Sequence, residues 1–559
     1  MRKLAKFLAA FLVAFLASGF SVSAASAAEA SWTTPSTQLE TQSPHGNMVT
    51  LPNGTVLLHW VEVIDSKSVL RIKTKSLGSA NWSTPESVTP ENVNTSISSA
   101  TFSGDAAGNL IAVWYDTTGD YKMKASDKRA GQSWTTPAVI GDGFDGGAGD
   151  PQLVTDSTGS TTAFWPAYIG QWTLQTAELP AGGTWSPTQT INNECADLRG
   201  VVGKNGVVTL AYKSNDGVDR IKVLSKQFGQ GWGAPAFISP SNFNATAPQV
   251  AISPDNEVTV AWQKDVNSEY SQVQAATRSA EGTWSEAVDV SLNNYVAQWH
   301  SISSDTEGNV TLIWTSNDRN GGPWIRVTAT KPHGGAWTSP VEFSANSNEL
   351  QLSTLTNGST LAVWTVSGAS NEIKYSIKPL NGSWTSAQTI YTSEEMMAGL
   401  KLGSRPNGTA IAMWWQWVGG GPHDPQPVYK MQTAELNYSF QVTYNVNGGL
   451  GTQPETQTFT TNTTTLARTL PADLKKAGYE FLGWNTKADG TGQAVVAGTA
   501  FTPTEDSTLF AQWTPAESLA ATGGNLLLLS ALAALFLMLG SMMLASSKLE
   551  LRAITRHHF

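Results

Sequence analysis

Short apolar runs of strand length, separated by turn residues, follow one another along most of the chain. In the unit 45–89, residues 45–51, 56–63, 69–75 and 82–88 read as four strands. Asn53-Gly54, between the first two, is a hairpin signal, because both central turn positions need positive φ. The second strand of a unit is apolar on both faces. In the next unit Leu110, Ala112 and Trp114 point one way, and Ile111, Val113 and Tyr115 the other. That pattern predicts a strand covered on both sides, as when one sheet packs between two neighbours.

The unit recurs. A clause reading Asp-x-x-Gly-x-x-x-apolar-x-Trp, as at 105–114, places an aromatic at Trp60, Trp114, Trp165, Tyr212, Trp262, Trp314, Trp364 and Trp414. A second clause, Gly-x-Trp-Ser/Thr-x-Pro in its full form, recurs around Trp32, Trp82, Trp134, Trp185, Trp232, Trp284, Trp337 and Trp384. Spacings of 47 to 54 residues in both series mean stacked supersecondary units. Four short antiparallel strands per unit match a propeller blade. The last unit lacks the second clause, which stands at Trp32 ahead of the first unit, so the amino terminus is expected to supply the last outer strand. The expectation is an all-β chain with an eight-bladed β-propeller over 28–437. The recurring Trp residues are read as packing between blades. The recurring Asp105, Asp156, Asp255 and Asp305 are read as turn residues bonding their own backbone.

The recurring Asp, Gly and Trp resemble the Asp-box of sialidase-like propellers, although Trp114 lies six positions after Gly108 instead of close behind it. Sialidase chemistry needs three arginines converging on one carboxylate. The arginines Arg71, Arg129, Arg199, Arg220, Arg278, Arg319, Arg326 and Arg405 share no blade position. The resemblance implies architecture, and the chemistry must be argued from a site.

Strand order puts the short Gly turns on one face and the longer, more varied loops on the other, where function is expected. The loop face carries Trp172, Trp324, Trp415 and Trp417, the last two opening the longest loop, 415–427. Counting nine residues back from each turn Gly (or Asn256) reaches the start of each inner strand and gives Asp150, Asp197, Trp299 and Glu349. Carboxylates that accept hydroxyl hydrogen bonds, beside aromatic faces that stack on sugar rings, make these eight residues the candidate ligand-binding set.

Composition narrows the classes. Net charge is −10 with Lys and Arg scattered singly, so no basic stripe offers itself to nucleic acid. One cysteine, Cys195, rules out an intramolecular disulfide. No His/Cys cluster has ligand spacing, and neither metal nor cofactor is expected. The basic start with Arg2, Lys3 and Lys6, the apolar run 7–20 and Ala25-Ser26-Ala27 predict an export signal over 1–27.

Beyond the repeats, Asn447-Gly448-Gly449, the run 478–486 around Trp484, and Leu509-Phe510-Ala511-Gln512-Trp513 open, centre and close a Thr-rich segment. It closely resembles the Listeria–Bacteroides repeat, the B-repeat of internalin-type surface proteins. The resemblance implies a small β-grasp-like domain over 438–514 that spaces or interacts and does not catalyse. A short helix is expected near 472–477. A linker, 515–525, carries Leu519-Ala520-Ala521-Thr522-Gly523. The apolar run 526–545 is long enough for a transmembrane helix at 1.5 Å per residue. A basic tail at 546–559 is expected inside the cell. This order is similar to a sortase sorting signal of the Leu-Ala-x-Thr-Gly form, which implies processing by a sortase between Thr522 and Gly523. Retention of the helix as a membrane anchor is the alternative.

Together these features predict a non-enzymatic protein of the bacterial cell wall or membrane surface, facing outward and binding a glycan or surface-protein ligand through the propeller. The competing reading is a secreted glycan hydrolase of sialidase-like architecture.

Overall fold

The computed structural model describes residues 29–516 except 42–45, 92, 94, 120, 143–149, 169, 193, 268–269, 294, 318–321, 346, 420–427, 462–464, 502 and 504–505. The export signal, the sorting motif and the expected membrane span lie outside the described residues. Among the described residues no helix is long and apolar enough to cross a membrane. The chain divides into two compact units, the first made essentially of residues up to Gln441 and the second of those from Val442 onward.

The first unit is a propeller whose regular blades are seven four-stranded antiparallel sheets. The blade that sets the pattern, blade 2, is Ile97–Gly104, Leu110–Asp116, Lys122–Lys128 and Ala138–Asp142. The other six begin at Gly46–Thr50 (blade 1), Gln152–Thr155 (blade 3), Ala196–Val202 (blade 4), Asn244–Ile252 (blade 5), Val296–Ser304 (blade 6) and Leu350–Thr354 (blade 7). Each second strand is two-faced. Leu110, Ala112 and Trp114 pack in the cluster shared with blade 1, and Ile111, Val113 and Tyr115 in the cluster shared with blade 3. Every repeat Trp except Trp60 is fully buried, and Tyr212 takes the place of one of them. The second Trp series is half-buried and leans on the same clusters, Trp134 on the junction of blades 1 and 2, and Trp185 on the next.

The turn aspartates do what their position predicts. Asp105 accepts the backbone N–H of Asn109 at 2.9 Å, and Asp156 that of Thr158 at 2.9 Å and Ser160 at 3.0 Å. Gly108, at φ 86°, supplies the left-handed turn conformation that an L side chain resists.

The eighth repeat unit departs from the expected count. Its strands Met397–Ser404, Ala410–Trp417 and Tyr429–Asn445 do not form a separate four-stranded blade but belong to a nine-stranded sheet. The reason is the 17-residue Tyr429–Asn445, which stays hydrogen-bonded past blade length and belongs to the second unit from Val442. Both amino-terminal strands pair with it antiparallel: Glu29–Trp32 along Leu436 to Ser439, and Ser36–Thr41 along Tyr429 to Thr433. This closing sheet packs on blade 7 through Trp414 and Leu436 and on blade 1 through Ile411, Met413 and Met431. The array is therefore a ring. Glu435 pins it with ion pairs to Arg405, at 2.9 Å, and to Lys75 of blade 1.

The second unit is β-structure. Val442 to Asn445 pair parallel with Ser507 to Phe510, and Tyr479–Asn485 runs antiparallel to Ser507–Pro515. Trp484 is buried, donates to the Arg468 carbonyl at 2.7 Å and meets Tyr444 at 4.8 Å between ring centroids. Asn447, at φ 47°, donates through its amide to the carbonyls of Ala488 and Ala511. The helix expected at 472–477 does not form. Lys475 bridges to Leu450 instead, and six residues between Pro471 and Gly478 are too few to nucleate a helix against that pairing.

Candidate functional site

The start of the inner strand is irregular in a repeated way. Register shifts occur at Ala196/Arg199, Thr246/Gln249, Gln298/Ser301 and Ala398/Lys401. Within them Asp197, Ala247, Trp299 and Gly399 take left-handed φ of 49°, 52°, 50° and 69°. A bulge re-aims the side chain it carries. At Trp299 it turns a large indole outward, leaving it 68% exposed. A bulky residue at such φ costs on the order of 1–3 kcal/mol, and strain of this kind concentrates at functional positions.

Trp299 faces Trp324 of the same blade, with ring centroids 6.2 Å apart and planes tilted by 36°. Beside Trp299 opens a recess of about 440 Å³ whose walls include Arg326, Ser347, Asn348, Glu349 and Gln351. Arg326 forms its buried part. Its guanidinium donates to Ser347 Oγ at 2.8 Å, to the Trp299 carbonyl at 3.0 Å and to the Asn348 carbonyl. Burial lowers its pKa to about 10, so it stays cationic at neutral pH. Glu349 accepts the backbone N–H groups of Gly399, at 3.0 Å, and Leu400, at 2.6 Å. Those bonds fix the carboxylate and leave lone pairs for further donors. His300, next to Trp299, is buried, with Nε2 3.1 Å from the Ala261 carbonyl and Nδ1 without a partner. Burial drives its pKa down to about 4, so the ring is neutral.

Of the eight sequence candidates, the fold brings Trp299, Trp324 and Glu349 together. Trp172 makes an edge-on pair with Tyr168, at 5.9 Å, on blade 3. Asp150 and Asp197 are exposed on blades 3 and 4, and neither lines the recess. Trp417 is partly exposed, meets the Tyr429 ring at a tilt of 35° and donates to the Gly419 carbonyl at 3.0 Å. The rest of its loop, 420–427, lies outside the described residues. Trp415 does not fit a binding role: only 5% exposed, it packs with Met48, Met413 and Met431 at the junction with blade 1. The two-faced second strand explains this, since Trp415 stands one place after the repeat Trp, where Tyr115 is also buried. Sequence reasoning missed Arg326 because the arginines follow no blade register.

The recess is lined by the Trp299 indole (which itself faces Trp324), a fixed carboxylate, a guanidinium and four amide or hydroxyl side chains, those of Ser301, Ser347, Asn348 and Gln351. It can stack a ring and hydrogen-bond hydroxyls. Among the described residues its lining includes one carboxylate, Glu349. Among the described residues no group of three or more His, Cys, Asp or Glu side chains is placed to hold a metal ion.

Residues 440–512 match the Listeria-Bacteroides repeat domain. No curated protein sequence matches the chain. Among solved structures, the BP39L lectin from Burkholderia pseudomallei is similar at 15% identity, covering 65% of this chain and 99% of the lectin, with a TM-score of 0.42. An ulvan lyase bound to -[GlcA(1-4)Rha3S]- is similar at 12% identity, covering 59% and 90%, with a TM-score of 0.41. The Hadza microbial sialidase Hz136 is similar at 16% identity, covering 54% and 72%, with a TM-score of 0.29.

Proposed function

We propose that this is an outward-facing surface protein whose propeller binds carbohydrate at the Trp299 recess. The observation that carries the reading is the exposed Trp299–Trp324 pair, held by a strained bulge at the mouth of a recess with a fixed Glu349 and a buried Arg326. Exposed aromatic faces beside convergent polar groups suit a ligand that is apolar on its ring faces and hydroxylated at its edges. On this reading the closing sheet serves as the eighth blade, and residues 438–514 are a spacer. Residues 1–27 direct export, and a sortase joins Thr522 to the wall or the helix 526–545 is kept as an anchor.

The test is an array of glycans and cell-wall fragments probed with the whole protein, reading both retention and ligand mass. We expect retention at unchanged mass, weakened about tenfold or more (about 1.4 kcal/mol) by Trp299→Ala or Trp324→Ala. A ligand returned shortened would make the protein a glycan-active enzyme. Retention indifferent to both substitutions would remove the site.

A further inference from the structure

A second recess, of about 850 Å³, opens at the same end of the neighbouring blade. Asn242 and Asn244 line it at the start of blade 5's first strand, Gln263 and Asp265 at the end of Val258–Asp265, Tyr270 just before Ser271–Arg278, and Gln298 from blade 6. Its chemistry is that of neutral amides. Asp265 accepts the Gln263 amide at 2.9 Å, and Asn244 Oδ1 accepts the Asp219 N–H at 3.1 Å, which leaves the Asn244 NH₂ to donate. Among the described residues the side-chain amides of Asn242 and Gln298 have no hydrogen-bond partner. An amide offers donors and an acceptor side by side. A hydroxyl, itself donor and acceptor, satisfies both, whereas an anion would meet the Asp265 carboxylate.

The two recesses meet along the backbone. Gln298 lines the amide recess and Trp299 lines the aromatic one, and consecutive Cα atoms are about 3.8 Å apart. The register shift at Gln298/Ser301 and the left-handed Trp299 turn the two side chains into different recesses. Both volumes fall in the range of roughly 300–1,000 Å³ typical of ligand sites. A linear ligand passing over the Gln298–Trp299 peptide enters both.

We infer that the amide recess is a second subsite, and that the ligand is a linear polysaccharide running from it into the Trp299 recess. One unit stacks on the tryptophans, and neighbouring units are held through their hydroxyls by Asn242, Asn244, Gln263 and Gln298. This inference rests on the carbohydrate reading above and adds length and direction to it.

The test measures affinity of the whole protein for size ladders of cellulose, chitin and xylan, from disaccharide to octasaccharide. Wild type should bind the octasaccharide of its preferred series at least about tenfold more tightly than the shortest member it binds. The double variant Asn242→Ala/Gln298→Ala should lose that gain and keep the affinity for the shortest member. Retained affinity for the shortest member also shows that the variant is folded. Equal affinity at every length, or a length gain that survives the double variant, overturns the second subsite and leaves the Trp299 site standing. Binding to no member of any ladder overturns both.

Discussion

The same residue type does opposite work at Trp114 and Trp299. Trp114 is fully buried between blades 1 and 2, whereas Trp299 is turned out by a left-handed backbone. Truncating the first should cost about 3–5 kcal/mol of stability. Truncating the second should cost affinity. Two buried histidines make a separate prediction. His59 is held neutral, its pKa lowered to about 3 by burial and then by the nearby Lys401, and His300 to about 4 by burial. Unfolded, both titrate near 6.5. As pH falls from about 6.5 to 4, the unfolded chain takes up protons that the folded chain refuses. Stability is therefore full above that window and declines through it. His59→Leu should remove on the order of 3 kcal/mol of the difference in unfolding free energy between pH 7 and pH 4. Denaturant titrations at the two pH values check this, and an unchanged pH slope would mean that His59 is not held neutral.

At the scale of the element, the blade was legible and its irregularities were not. The alternation around Trp114 and the turn aspartates gave strand faces and hairpins correctly, because they are local and fixed by period and by φ. Trp415 reads as a loop residue because it stands just ahead of a long loop, but its place in a two-faced strand buries it. The bulge at Gln298/Ser301 and the position of Arg326 arise from pairing between strands, which no spacing of residue types records. Close approach between blades is equally silent in the sequence. Gly200, on blade 4's inner strand, would place a methyl group 2.3 Å from the Phe164 ring of blade 3. Gly200→Ala should destabilise the fold by about 1–3 kcal/mol. Chemical denaturation would show it as a lowered midpoint at constant slope, and a midpoint equal to wild type would mean the blades part easily.

At the scale of the molecule, the ring depends on a pairing across almost its whole length: Thr37 meets Gln432, 395 positions away. Leu39 then leans on the junction with blade 1, and Trp32 on the junction with blade 7. Removing 29–41 would bare one edge of Tyr429–Asn445, and bared strand edges associate. Light scattering should find larger assemblies of the truncated chain than of the intact chain, and an unchanged size with an unchanged melting temperature would make the closure dispensable. The offset of the Trp series announced the amino-terminal pairing, but nothing in the sequence showed that the closing sheet would exceed blade size. The pairing also sets an order in time. A ribosome releases the amino terminus first, and Ser36–Thr41 cannot find its hydrogen-bonding partner until Tyr429 to Thr433 have emerged. A strand made early is thus among the last to be paired, and it stays without its partner until most of the propeller has been synthesised.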